Sequence, residues 1–250
     1  MTLHTKEILE MVGATALVAA AAEALLAYAS GWPTSQLFGR TLTAPRTSAN
    51  GPGQIALTFD DGPNPLWTPQ LLEILARHNI RATFFLIGQY AAAQRSLVRQ
   101  TLEAGHLIGN HTWNHPNLAR TNSRHTREQL SRTSAELEQI TGAPIRYFRP
   151  PFGLRRPATL RIARELGLIP VTWNVIGNDW DAKSAQEITD RVTRLTGKNQ
   201  RRGYATNLVL HDGGHRTPQA DRSRTIASVK DLLSLYTPTH QFVTLDQWQS

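Results

Sequence analysis

Asp60 and Asp61 are adjacent carboxylates that close a short apolar run, Ile55-Ala56-Leu57-Thr58-Phe59. Further on, His111 and His115 follow the run that ends at Gly109, Arg149 follows Ile145 to Phe148, Asp179-Trp180 follows Val171 to Ile176, and His211-Asp212 follows Leu208-Val209-Leu210. A histidine pair at this spacing is common by chance. Threonine at position 112 also excludes the zinc-protease arrangement, which needs a glutamate there. The aspartates make the pair more informative. Two neighbouring carboxylates repel unless a metal or an arginine neutralises one of them. One aspartate with two histidines forms an open divalent-metal site that leaves positions for water. The second aspartate is then free to accept a proton from that water.

Five strand ends must deliver these groups to one place. After Gly53 the chain alternates short apolar runs with helical patterns. Thr68 reads as an N-cap with Pro69 at the first helical position, ahead of Leu71, Leu72, Ile74 and Leu75. Ala82 to Ile87 reads as a buried strand stopped by Gly88. Helical patterns recur near 89–104, 123–141, 157–166, 184–196 and 222–236, and apolar runs at 106–109, 145–148, 168–176, 207–210 and 242–245. This alternation predicts an α/β fold with a parallel sheet covered on both faces. About seven such units favour a distorted (β/α) barrel, in which active groups sit at the carboxyl ends of the strands.

Composition narrows the class further. The 250 residues can build one sizeable core. The absence of cysteine excludes disulfides, thiolate metal clusters and a cysteine nucleophile. With 27 basic and 19 acidic side chains the net charge is +8. Residues 1–53 are neutral (Lys6, Arg40 and Arg46 against Glu7, Glu10 and Glu23), so the whole excess lies in residues 54–250. The arginines are spread along helical patterns, as on solvated faces. No helix-turn-helix or aromatic stacking platform accompanies them, so no nucleic-acid partner is expected, and no protein partner is implied.

Thr58-Phe59-Asp60-Asp61-Gly62-Pro63, the segment His111-Thr112-Trp113-Asn114-His115, and Arg149-Pro150-Pro151-Phe152-Gly153 resemble the first three motifs of the polysaccharide deacetylase family. This family is also called the NodB-homology or carbohydrate esterase 4 family. Asn178-Asp179-Trp180 resembles its fourth motif and Leu208 to Gly214 its fifth; Asp221-Arg222-Ser223, Thr225 and Phe242 to Leu245 also fit. The resemblance spans about residues 54–248. It implies that Asp61, His111 and His115 hold a divalent metal, usually zinc, with cobalt, nickel or manganese in some relatives. It further implies Asp60 as general base positioned by Arg149, and His211 as general acid tuned by Asp179. The backbone N–H of Phe152 would face the oxyanion, and Trp180 and Leu210 would line an acetyl pocket. Ile176 departs from the pattern, because relatives often carry an aspartate there.

The implied reaction releases acetate from N-acetylglucosamine units of peptidoglycan or chitin oligomers. O-deacetylation of xylan by the same residues is a rival reading. A non-catalytic glycan binder is another, but it would be expected to have lost Asp60 or a metal ligand. His215, in the Gly-rich turn, could touch substrate, and Trp113 could either stack on sugar or pack. His106 reads as a strand or turn residue.

Residues 1–30 contain an apolar stretch, Met11 to Ala29, interrupted by Glu23. Its length suits a membrane anchor, a cleaved signal or a packed helix. Residues 31–53, punctuated by glycine and proline, read as a linker or covering strap. An anchored or exported domain would act in the cell envelope.

Overall fold

The computed structural model describes residues 3–47 and 51–248, with side chains from residue 15 onward. Eight strands form a single sheet in which every pairing is parallel. They are β1 (Gly53–Gly62), β2 (Thr83–Leu86), β3 (Leu107–Asn110), β4 (Tyr147–Phe148), β5 (Ile169–Pro170), β6 (Val175–Ile176), β7 (Thr206–His211) and β8 (His240–Val243). The order across the sheet is β5-β4-β3-β2-β1-β7-β6, and β8 pairs with the first residues of β1. The helices are α1 (Leu3–Gly31), α2 (Thr68–Arg77), α3 (Gly88–Ala93), α4 (Arg95–Glu103), α5 (Ser123–Thr141), α6 (Pro157–Glu165), α7 (Ala185–Arg201) and α8 (Ser223–Tyr236).

β5 and β6 do not pair, so the sheet is a curled, incomplete barrel. The strap spans the gap. Leu42 N–H donates to Pro170 O (2.8 Å) and Leu42 O accepts from Thr172 N–H (3.0 Å), while Pro45 O accepts from Ala205 N–H (3.0 Å). The run at 168–176, read from its apolarity as one strand, is in fact β5 and β6 separated by a turn. Asn174 holds that turn by accepting from Asn207 N–H (2.8 Å) and donating to Ala205 O (2.8 Å). Similarly, the 89–104 pattern is two helices broken at Gln94, whose φ of −128° and ψ of 43° are not helical.

Side chains alternate across β1. Ile55, Leu57 and Phe59 join the larger core beneath the helices, and Ala56 joins a smaller core inside the barrel with Phe85, Tyr147 and Val171. The period of two therefore turns Thr58 and Asp60 inward as well. Helix ends are fixed locally. Asn122 accepts from His125 N–H (2.8 Å) at the start of α5, and left-handed Gly142 ends it. Thr68 is not the N-cap of α2. Trp67 holds that position, and the Thr68 hydroxyl instead donates to Asp212 Oδ2 at 2.5 Å.

Near its C-terminal end α1 packs on the Pro151–Gly153 turn, and Ala29 is buried there. Leu17, Val18, Leu25 and Leu26 are exposed along it. Among the described residues no helix is long and apolar enough to cross a membrane. The side chains of residues 11–14, part of the expected anchor, lie outside those described.

Candidate active site

Asp60, two residues before the end of β1, and His211, the last residue of β7, are register partners at the carboxyl ends of their strands. Backbone strain is concentrated here. Asp61 (φ 71°), Thr112 (φ 67°), His115 (φ 60°), Phe152 (φ 58°) and Asn178 (φ 49°) are all left-handed, a conformation that non-glycine residues hold only when their surroundings impose it.

Asp61, His111 and His115 are buried and present ligand atoms within 4.8 Å of one another. Asp61 Oδ1 lies 3.4 Å from His111 Nε2 and 3.2 Å from His115 Nε2. That oxygen is fully buried and has no hydrogen-bond partner among the described residues. A buried, unsatisfied carboxylate oxygen facing two imidazole nitrogens is costly by itself and is suited to a shared cation. The protonation states agree. Burial, with repulsion from His111 and against attraction by Asp61, holds His115 down at about 3, so its lone pair is available at neutral pH. Burial opposes ionisation of Asp61, but His111 and the other histidines around it keep its carboxyl well below the usual range. His111 Nδ1 lies 2.8 Å from Arg149 O, which fixes the ring with Nε2 toward Asp61.

Asp60 points elsewhere. Its Oδ1 accepts from Arg149 Nη1 at 2.7 Å, and its Oδ2 is 3.9 Å from His111 Nε2. Arg149 is fully buried, donates also to Thr58 Oγ1 (2.7 Å) and Asn207 Oδ1 (3.3 Å), and lies over the Phe85 ring. Across the mouth, His211 Nδ1 is 2.8 Å from Asp179 Oδ1, and Asp179 Oδ2 accepts from His211 N–H (2.9 Å) and Thr225 Oγ1 (2.7 Å). Burial works against a charge on His211, but Asp179, with Asp61 and Asp60 farther off, raises its pKa to about 9. The half-exposed Trp180 ring stands edge-on to His211 at 5.0 Å.

Leu210 is a correction. The alternation that turns Asn207 and His211 inward turns Leu210 outward, where it is fully buried in the helix-facing core with Ile188 and lies against Gly177. Val209 shares the inner face with His211 instead.

Several site residues were weak or silent in the sequence. Thr58, Asn207 and Thr225 orient charged partners, and a lone threonine or asparagine gives no signal of that. Asp212, adjacent to His211 in the chain, is buried under Gly62, and burial pushes it up to about 7. Gly213 lies so close to Asp61 O that an added Cβ would be 2.0 Å away, so the turn after β7 can press on the cluster only as glycine. The His215 ring stacks on His115 (4.8 Å) and also approaches Phe152. Trp113 packs: the Arg132 guanidinium covers its ring at 3.6 Å, and Gly88 lies against it. His106 is a buried structural residue whose Nδ1 accepts from Ala82 N–H (3.1 Å).

An incomplete parallel barrel with an Asp-His-His cluster, a separate buried carboxylate and a carboxylate-paired histidine defines the scaffold of a metal-dependent hydrolase. Comparison with known proteins makes the assignment specific. The polysaccharide deacetylase family model matches residues 47–171, and the chain belongs to that family. It is 35% identical over 193 residues to a peptidoglycan-N-acetylglucosamine deacetylase of Bacillus cereus, covering 77% of this chain and 66% of that protein. It is 35% identical over 190 residues to a chitooligosaccharide deacetylase of Sinorhizobium fredii, covering 76% and 84%. The solved structure of the Bc1960 peptidoglycan N-acetylglucosamine deacetylase, bound to an N-hydroxybenzamide, superposes with a TM-score of 0.71 at 32% identity, covering 83% of this chain and 91% of that one.

Proposed function

We propose that this protein removes N-acetyl groups from N-acetylglucosamine units of an envelope polysaccharide, peptidoglycan or a chitin-type oligomer, through residues 54–248. The observation that carries this reading is the buried Asp61–His111–His115 cluster, set beside Asp60 on one side and facing His211 on the other.

Asp61, His111 and His115 would hold a divalent ion, and zinc is a metal that suits two imidazoles and one carboxylate. When bound, the ion supplies a polarised water and positive charge beside the acetyl oxygen. Asp60, held by Arg149, accepts the proton of the attacking water. The Phe152 N–H faces the developing oxyanion. His211, kept as imidazolium by Asp179, gives its proton to the departing sugar nitrogen, so that acetate and a free amine result. Trp180 walls the acetyl pocket. The domain would act in the cell envelope, where the exposed apolar side chains of α1 would lie against a membrane surface, no described helix being long and apolar enough to cross one.

Metal-loaded protein incubated with peptidoglycan, chitooligosaccharides and acetylated xylan should release acetate from the amides in preference to the ester. Release from xylan alone would favour the O-deacetylase reading. No release from any substrate, with zinc, cobalt, nickel or manganese, would overturn the proposal.

A further inference from the structure

Arg155 is the second of two fully buried arginines among the large side chains, and unlike Arg149 it faces no carboxylate among the described residues. Its guanidinium instead donates to four backbone carbonyls: Gly153 O (2.8 Å), Ser35 O (2.8 Å), Trp32 O (2.9 Å) and Ser30 O (3.3 Å). Three of these belong to the last turn of α1 and the chain just after it. The fourth belongs to the turn that carries Phe152. Two more bonds close the junction: Arg155 N–H donates to Ser30 O (3.2 Å), and Ser30 Oγ donates to Arg155 O (2.9 Å).

The physical logic is that of a buried cation compensated by dipoles. The C-terminal carbonyls of a helix carry partial negative charge and lack intrahelical partners, so a guanidinium with a planar set of donors satisfies several at once. The turn it holds needs such support. Phe152 and Gly153 are consecutive left-handed residues, at φ 58° and 68°, and a Cβ at Gly153 would lie 2.8 Å from the Trp173 ring. Phe152 itself is half exposed, with its ring edge-on to His115 at 4.6 Å, so its own side chain anchors the turn only partly.

We propose that Arg155 is a positioning residue that couples the end of α1 to the Phe152 turn, making residues 29–35 a working part of the active site rather than a detachable leader. This rests on the deacetylase reading above, in which the Phe152 N–H faces the oxyanion.

The test uses the full chain with Arg155→Met, Arg155→Lys and Ser30→Ala. An oxyanion donor acts in the transition state, so Arg155→Met should lower kcat for acetate release by about tenfold to a hundredfold while KM and zinc affinity stay near wild type. Arg155→Lys, which keeps the charge, should recover part of the loss. Ser30→Ala should give a smaller fall of the same kind. Amide hydrogen exchange should rise at 151–155 in Arg155→Met and stay unchanged in β1 and β3. Wild-type kcat and unchanged exchange in Arg155→Met would overturn the proposal, as would parallel losses of kcat, KM and zinc affinity. If Arg155→Met does not fold, Arg155→Lys decides by the same two readouts. Failure of the deacetylase reading would appear separately, as absence of acetate release by wild type, and the exchange measurement would still test the coupling.

Discussion

Arg149 and Asp60 form an ion pair at 2.7 Å in which both side chains are almost wholly withdrawn from water. Removing either partner leaves an uncompensated buried charge. Arg149→Met should therefore destabilise the fold by about 3–5 kcal/mol, measured by urea denaturation. A loss under about 1 kcal/mol, the range of surface pairs, would show that the pair is not desolvated as described.

Asp60→Asn separates metal binding from proton transfer. Its amide cannot accept the proton of the attacking water, so acetate release should fall by about 10²–10⁴-fold. Zinc affinity, measured by calorimetry, should persist because Asp61 and the two histidines are intact. Wild-type turnover in this variant would refute Asp60 as the base.

The Asp179–His211 pair sets the alkaline side of the pH profile. With His211 raised to about 9, the imidazolium needed for donation persists through neutral pH and is lost above it. In Asp179→Asn, burial is no longer opposed by that carboxylate, and the alkaline limb of kcat should move down toward 6.5 or lower. An unmoved limb would exclude His211 as the acid.

The same shift affects stability. A histidine whose folded pKa of about 9 exceeds its ordinary 6.5 contributes fully below 6.5, and the contribution disappears as pH rises through 9. Stability should fall across that window in wild type and less in Asp179→Asn. Denaturation midpoints at pH 6 and 9.5 would measure the difference.

Zinc should stabilise the folded chain by filling the space beside Asp61 Oδ1, by about 2.7 kcal/mol at a hundredfold excess over Kd. Chelation should abolish acetate release and lower the melting temperature. In Asp61→Ala, zinc should leave the melting temperature unchanged; an equal rise there would place the ion elsewhere.

Much of the site was legible because its parts end strands. Asp60, Arg149 and His211 each follow an apolar run directly, and in a parallel barrel those ends must meet at one mouth. The errors also have physical causes. The family resemblance implies Leu210 in the acetyl pocket, yet it is the strand neighbour of His211, and neighbours in a strand face opposite ways. Thr68 has the residue type of a cap, but its hydroxyl is taken by Asp212, 144 positions away.

The sequence by itself determined which groups are available. It supplies no thiol, one aspartate pair, two histidine pairs at four-residue spacing (His111/His115 and His211/His215), and a charge excess confined to residues 54–250. It also determined, through alternating periodicity, that these groups lie on a parallel α/β frame. The family resemblance already implied which aspartate goes with which partner, but only the tertiary structure gives the physical reason. Burial and a left-handed backbone at Asp61 aim two adjacent carboxylates apart, Asp60 onto Arg149 and Asp61 toward the histidines. The tertiary structure also placed the end of α1 on Arg155, because a buried guanidinium requires acceptors and the chain supplies them from more than a hundred residues away.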